Sequence, residues 1–304
     1  MSPSPKVAVV IVSFETRDTL LEGLAALEVN AGMPIETVVV DNASSDGSAA
    51  AVRARFPGAQ VVTNTENLGF ARACNQGFRE TRAPLVLFLN PDATLTPGAL
   101  ATLVGVVESQ PRIGIAGPRT RSSNGDIQVS TGPHLTLVSE WRQRRLVLGV
   151  ARRDARALAK AEARHAVEHE PGWVSGACLL ARREAIDAVS GFDEGFFLYE
   201  EDADLCRRLR AAGWQVVFTP DAEARHAKGR SMARAPERAR LEYQRSHLRY
   251  YRKHCGLPQR TVLRLLLAGR AGVELARGAV SGDLARCREA AELLRLSLSA
   301  PSLT

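Results

Sequence analysis

The residues of this chain best suited to chemistry are carboxylates, and they fall in three places. Asp92 ends the sequence Leu85-Val-Leu-Phe-Leu-Asn-Pro-Asp92, in which five apolar residues read as a strand buried on both faces. Pro91 cannot donate to a ladder and pushes Asn90 into an extended shape, so the strand stops there and presents a carboxylate at its C-terminal rim. In open α/β sheets that rim binds ligands; the plainer alternative is an Asx-Pro turn in which Asp92 caps a helix starting near Pro97. A second group, Glu200, Glu201, Asp202 and Asp204, lies within five positions behind Phe196-Phe-Leu-Tyr199 and ahead of a helix reaching about Ala212. One acidic residue is enough for a helix start. Four crowd one another, raise their pKa values and suit the abstraction of a proton. The third carboxylate, Asp41, closes the run Val38-Val-Val.

The elements that must hold these groups alternate regularly. Val7 to Val12, Glu36 to Val40, Ala59 to Thr63, Leu85 to Leu89 and Ile113 to Gly117 read as strands. Thr16 to Val29, the stretch from Asp46 to Phe56, Gly69 to Thr81 and Pro97 to Ser109 read as helices. The pattern predicts a parallel sheet covered on both faces and built like a nucleotide-binding fold. The turn after the first strand, Ser13-Phe14-Glu15-Thr16, lacks the Gly-x-Gly-x-x-Gly spacing, and no Walker loop is present, which disfavours NAD, FAD and P-loop chemistry. Asp41 at the rim of the second strand could accept the imide N–H of a uracil or thymine ring through a charge-assisted hydrogen bond; otherwise it is a turn residue.

Composition sets outer limits. The 304 residues are 45% hydrophobic, enough for a sizeable core, with net charge +7 and pI near 9.5. That balance favours an anionic partner: nucleic acid, a diphosphate or an acidic membrane surface. The five cysteines are scattered without a Cys-x-x-Cys pair, which argues against a disulfide frame or thiolate zinc site and for a reducing compartment. No signal peptide is visible, and no uncharged apolar run approaches the ~18 residues that span a bilayer.

Residues 38–92 carry a resemblance. Val38-Val-Val-Asp-Asn-Ala-Ser-Ser-Asp-Gly-Ser48, Asn67-Leu-Gly-Phe-Ala-Arg-Ala-Cys-Asn-Gln-Gly77 and Leu89-Asn-Pro-Asp-Ala93, in that order and spacing, resemble the family-2 glycosyltransferases, inverting enzymes of the GT-A type. The rhamnosyltransferase-like branch, which builds cell-surface polysaccharides, is the nearest in look, and the resemblance covers roughly residues 6–230. It implies an α/β fold: a GT-A type Rossmann-like nucleotide-binding sheet with a smaller acceptor-side subregion and a C-terminal helical appendage. The boundaries it implies are a glycosyltransferase domain over 1–232, split into a nucleotide-sugar half (6–117) and an acceptor half (118–232), then a basic helical region over 233–304. By resemblance, Asp92 binds a divalent metal, Mg²⁺ or Mn²⁺, and through it the diphosphate of a nucleotide-sugar, with dTDP-L-rhamnose the first donor implied. The family's Asp-x-Asp is here Asn90-Pro91-Asp92, one carboxylate fewer. Ser13, Glu15, Asn67, Gly69 and Asn90 fall with Asp41 on the donor side, where the Asn67-Leu68-Gly69 turn offers a helix N-terminus to diphosphate or sugar oxygens or is a plain helix cap. The family's Glu-Asp pair falls on Glu201-Asp202, with Asp202 the expected base and Glu201 the second choice; Asp204 is expected to organise the helix and nearby arginines.

Arg119 to Pro171, with Trp141 and Arg142, Arg144 and Arg145, is irregular and ends in a charged run of helical composition: a lid, an acceptor-recognition insertion or a solvated variable loop-helix. Pro171 to Ala181 reads as one strand whose small residues, including Gly176, admit a close neighbour. Trp173 stacks on a sugar ring or packs as core. Trp214 to Thr219 is a further strand, followed by His226, which by resemblance completes the metal shell, and by Lys228 and Arg230, placed to meet a departing diphosphate. The arginine-rich tail reads as a helix stopping at His254 to Pro258 and a second over Val262 to Ala279, fit for an anionic membrane surface or for packing and dimer contacts. The expected partners are a nucleotide-sugar and a glycan or lipid-linked glycan, with no nucleic acid and an oligomer left open. The expected location is cytoplasmic, peripheral at the inner face of the cell membrane. Two rivals stand beside this reading: a non-catalytic basic protein binding nucleic acid or anionic lipid through the tail, and nucleotidyl transfer, which the missing glycines after the first strand disfavour.

Overall fold

The computed structural model describes residues 5–227 and 236–299. β1 (Val7–Ser13) is buried along its whole length, and its alternate residues serve opposite faces. Val7, Val9 and Ile11 join a core with Leu20, Leu24 and Leu27 of α1 (Arg17–Asn30). β2 (Ile35–Asp41) pairs with β1 in parallel; α2 (Ser48–Arg55) leads to β3 (Gln60–Thr63), and α3 (Phe70–Glu80) to β4 (Leu85–Leu89). Val10, on the other face of β1, lies against Gly77 of α3. These four strands form the predicted parallel sheet, in the order β3-β2-β1-β4.

Beyond β4 the structure departs from the sequence expectations. A short β5 (Ala93–Leu95) stands between Asp92 and α4 (Ala99–Ser109), whose N-cap is Gly98 with no side-chain cap, so Asp92 is not a helix cap. α2 likewise has a glycine N-cap, Gly47; Asp46 accepts the Ser48 and Arg17 N–H groups at 3.0 and 2.8 Å and ties α2 to α1. β6 (Ile113–Arg121) continues past Gly117 and pairs with β7 (Ile127–Gln128). After β8 (Thr131–Gly132), α5 (Leu137–Ala151) starts with a Thr136–Ser139 capping box, and Asp154 caps α6 (Ala155–Arg164). Ile127, Leu146 and Ala161 give this insertion a small core of its own.

The stretch expected as one strand is two, β9 (Trp173–Val174) and β10 (Cys178–Arg182), with Ser175-Gly176-Ala177 turning between them. β9 pairs with β8 in a separate two-stranded sheet. β10 runs antiparallel between β4 and β6, so the full sheet is mixed rather than parallel. α7 (Arg183–Ala188) and α8 (Glu201–Ala211) precede β11 (Gln215–His226), which is continuous but shifts register between Thr219 and Glu223, around Pro220. The path among the described residues is β3-β2-β1-β4-β10-β6-β11-β5.

The chain divides into two compact units. One runs to Phe197 and resumes at Glu201 through β11; the other joins Leu198–Glu200 to the C-terminal helices. The latter are α9 (Pro236–His254), α10 (Leu257–Ser281), longer than expected at both ends, and α11 (Leu284–Leu298), which the sequence pattern did not reveal. Tyr250 and Tyr251 are buried in this unit. Ser246 Oγ donates to the Leu198 carbonyl (2.7 Å), and His247 Nδ1 lies 2.6 Å from Glu200 Oε1. No helix among the described residues is long and apolar enough to cross a membrane.

Close approach of α3 to the sheet sets the position of the rim. A Cβ at Gly77 would fall inside Val10 and within 3.1 Å of Val40. Gly77→Ala is expected to lower stability by about 1–3 kcal/mol in denaturant titrations, because neither β1 nor β2 can yield.

Candidate active site

The C-terminal ends of β1, β2 and β4 bring three predicted residues to one rim. Ser13 and Asp41 are register partners. Ser13 is fully buried and its Oγ lies 2.9 Å from Thr16 Oγ1. Asp41 is 2% exposed, and its Oδ1 has no hydrogen-bond partner among the described residues. Burial pushes the Asp41 pKa up, with smaller contributions from Asp46 and Glu15, against the lowering effect of hydrogen bonds from Ser44. A buried carboxylate oxygen with an open acceptor position suits an incoming N–H. Glu15 adopts positive φ (54°) and accepts from both the N–H and Oγ of Ser45, at 2.6 and 2.8 Å. Its carboxylate thus braces the loop after Asp41.

The Asn67-Leu68-Gly69 turn is fixed by a residue the sequence reading did not single out. Asn42, 2% exposed, donates to Asn67 Oδ1 (2.8 Å) and accepts from Leu68 N–H and Asn64 Nδ2, both at 3.0 Å. Asn67 Oδ1 also accepts the Gly69 N–H. Gly69 has φ 86°, and a Cβ there would sit 2.6 Å from the Phe197 carbonyl oxygen. The Phe70 N–H, the first of α3, donates to that same oxygen at 2.7 Å. In this structure, therefore, Asn67 and Gly69 build the turn and dock the 192–197 loop on it; Asn75 does the same from below, exchanging hydrogen bonds with Phe192 at 2.9 Å. The signal for Asn42 was its place beside Asp41, but an asparagine in a loop rich in Asp and Ser does not stand out.

Asp92 and His226, 134 positions apart in sequence, meet. β5 pairs with the end of β11, placing His226 opposite Ala93, and the Ala227 N–H donates to the Asp92 carbonyl at 2.9 Å. His226 Nε2 lies 3.1 Å from Asp92 Oδ1, both side chains being mostly buried. Asn90 Nδ2 is 3.5 Å from the same ring nitrogen, and Gln128, also missed in the sequence, donates to the His226 carbonyl at 2.7 Å. Two adjacent ligands of an octahedral cation, each at ~2.1 Å, stand ~3 Å apart, so the pair fits one Mg²⁺ or Mn²⁺. Among the described residues no third His, Cys, Asp or Glu joins them. Lys228 and Arg230 lie outside the described residues.

The acidic cluster resolves into separate roles. Asp204 is fully buried and meets Arg208 at 2.7 Å, organising α8 as expected. Glu201 is 6% exposed and near enough to Cys74 of α3 to help raise the thiol's pKa, so its carboxylate belongs to the interior. Asp202 is half-buried at the rim: Gly176 N–H donates to its Oδ2 at 2.8 Å and Ala203 N–H to its Oδ1 at 2.7 Å. Burial raises its pKa despite these donors. The close neighbour that Gly176 admits is Asp202 itself, whose Cβ would lie 3.4 Å from a Cβ there. The next residue, Ala177, accepts the Asn90 N–H at 2.9 Å. One short turn thus holds Asp202 on one side and the Asn90–Asp92 bend on the other. Trp173 is half-buried, and its indole covers Gly132 so closely that any side chain there would overlap it.

Comparison with known proteins points the same way. The model of the family described as "Glycosyltransferase like family 2" matches residues 4–245. The chain is 32% identical over 248 residues to the N-acetylglucosaminyl-diphospho-decaprenol L-rhamnosyltransferase of Mycobacterium tuberculosis, covering 75% of this chain and 78% of the relative. In structure it is similar to the Pyrobaculum calidifontis mannosyltransferase PcManGT, solved with GDP-Man and Mn²⁺, with TM-score 0.60 and 19% identity over 98% of this chain and 87% of that one. It is also similar to TarS residues 1–349 of S. aureus, with TM-score 0.54 and 14% identity over 95% and 91% of the two chains.

Asp41→Asn tests the carboxylate at the second strand. Because burial holds its pKa above the ordinary ~3.9, its favourable contribution to folding is fullest at low pH and is lost as pH rises through the raised value. The asparagine variant is expected to melt higher than wild type at pH 7, with the gain shrinking toward pH 4. The same variant should bind a uridine or thymidine diphosphate about tenfold or more weakly by calorimetry.

Proposed function

The chain belongs to glycosyltransferase family 2, an inverting nucleotide-sugar-dependent enzyme of the GT-A type, and on that premise we propose that it moves L-rhamnose from dTDP-L-rhamnose to a hydroxyl of a lipid-linked glycan in cell-envelope polysaccharide synthesis. The rhamnosyl donor and the lipid-diphosphate acceptor follow the relative at 32% identity. Membership of an enzyme family sets aside the rival reading of a non-catalytic basic protein. A lipid-linked acceptor would place the reaction at the inner face of the cell membrane.

The proposed roles follow the rim. Asp41 accepts the imide N–H of the pyrimidine through its open oxygen, with Ser13 beside it. Glu15, Asn67 and Gly69 shape the walls of the nucleotide site. Asp92 and His226, steadied by Asn90, would hold a divalent cation that neutralises charge on the leaving diphosphate. Lys228 and Arg230 are assigned to the same diphosphate, and Trp173 to the sugar or acceptor. Asp202 takes the acceptor's proton as that oxygen bonds to the anomeric carbon; the bond from that carbon to the diphosphate oxygen breaks, and the nucleoside diphosphate leaves from the opposite face. A carboxylate whose pKa is raised by burial is a stronger base than an exposed one, and the Gly176 and Ala203 N–H groups keep it aimed. Glu201, buried near Cys74, is assigned to the support of α8 rather than to the base.

The observation that carries this reading is the shared turn: the Gly176 N–H on Asp202 and the Ala177 carbonyl on Asn90 tie both acidic segments to one short stretch of backbone. Thermal shift of the purified chain against a panel of nucleotide-sugars, with and without Mn²⁺, tests it first. dTDP-L-rhamnose with Mn²⁺ is expected to give the largest rise, and the Mn²⁺ increment should vanish in Asp92→Ala and His226→Ala. Asp202→Asn should then lower transfer to a polyprenyl-diphosphate-linked N-acetylglucosamine by about 10²-fold or more while the donor-induced shift persists. Unchanged turnover in that variant refutes the assignment.

A further inference from the structure

α10 is 25 residues long and apolar on two opposite faces. Leu263, Ala271 and Gly278 are buried on the side packed against α9 and α11. On the other side Val262, Leu265, Leu266, Val273 and Val280 recur at helical spacing and are exposed, Leu265 by 65%, Leu266 by 60% and Val280 by 91%. A helix at a protein surface ordinarily turns charged residues outward. Here the outward stripe holds no acidic residue, and exposed Arg270 and Arg277 line one margin of it, Arg277 also meeting Glu274 at 2.9 Å. Charge is concentrated in the same region: residues 233–304 hold 14 of the 40 Lys and Arg but 6 of the 33 Asp and Glu, an excess of eight positive charges in a chain whose total is +7.

We propose that this face of α10 lies in the plane of an anionic lipid surface, with Val262, Leu265, Leu266, Val273 and Val280 entering the acyl boundary and Arg270 and Arg277 meeting the headgroups. Charge along the helix favours this arrangement over a span: Arg260, Arg264, Arg270, Glu274 and Arg277 interrupt its apolar sequence, whereas a helix of about 38 Å lying flat offers its whole stripe to the interface. Charge favours lipid over a second copy of the chain, since a two-fold contact through this stripe would bring Arg270 and Arg277 toward their own equivalents. The binding needs neither donor nor acceptor, so it stands or fails independently of the transfer reaction.

Co-sedimentation of the full chain with vesicles tests it. Binding to phosphatidylcholine vesicles containing phosphatidylglycerol is expected to exceed binding to phosphatidylcholine alone and to weaken in high salt. The double variant L266E/V273E should partition about tenfold or more weakly with an unchanged circular-dichroism spectrum, since both positions are exposed. R270E/R277E should lose the preference for phosphatidylglycerol while keeping its fold. The proposal is overturned if L266E/V273E binds as wild type does, or if wild type ignores phosphatidylglycerol. It is overturned equally if wild type sediments as a dimer that L266E/V273E splits without any vesicle binding.

Discussion

The polarity of one strand governs this site. β10 enters the sheet antiparallel to β4 and β6, so its N-terminal end lies where β4 has its C-terminal end. The turn that leads into β10 therefore arrives at the C-terminal rim of a parallel half-sheet and can donate and accept there through its backbone. Gly176 gives its N–H to Asp202, and Ala177 gives its carbonyl to Asn90. Had β10 joined in parallel, the same turn would lie at the opposite edge, and the carboxylates from α8 and from the end of β4 would have no common support.

Burial shapes the electrostatics around that support. Asp41 and Asp202 are both drawn out of water, and in each desolvation outweighs the hydrogen bonds that favour the charged form. Asp204 is buried more deeply still but faces Arg208 directly, the ordinary resolution for an interior carboxylate. Two carboxylates of one cluster thus differ in support: Asp204, paired with a cation, holds α8, while Asp202 is held by backbone N–H groups and stays more basic than an exposed carboxylate. The backbone ahead of them is also unusual. Tyr199 and Glu200 both adopt positive φ, 71° and 62°, a conformation that side chains disfavour and that Ser246 and His247 help to hold through Leu198 and Glu200.

Asparagines carry much of the remaining order. Asn42, Asn64, Asn67 and Asn75 offer donor and acceptor on one side chain, so each can tie two loops whose backbone groups would otherwise be buried unpaired. The rim at the ends of β1 and β2 is thus fixed by short polar links above an aliphatic sheet. Gly69 and Gly77 let α3 sit against the Phe197 carbonyl at one end and against β1 near the other, where any larger residue would overlap.

Local sequence determined the parallel half. Apolar runs, six residues in β1 and five in β4 but three in β2 and two in β3, separated by helical periodicity, marked β1 to β4, and Pro91 marked where β4 ends, because these signals depend only on neighbours along the chain. The three motifs between Val38 and Ala93 carried the family, and the crowding of Glu200 to Asp204 marked the second acidic group. What the sequence could not contain was direction and pairing. Nothing local says that β10 runs antiparallel, that β5 interposes between Asp92 and α4, or that β11 carries His226 back to within 3.1 Å of Asp92. Nor does spacing alone separate Asp202 from Glu201, adjacent in the chain yet buried to different depths. Those choices rest on hydrogen bonds and burial between segments far apart in the chain, and only the packed sheet brings the segments together.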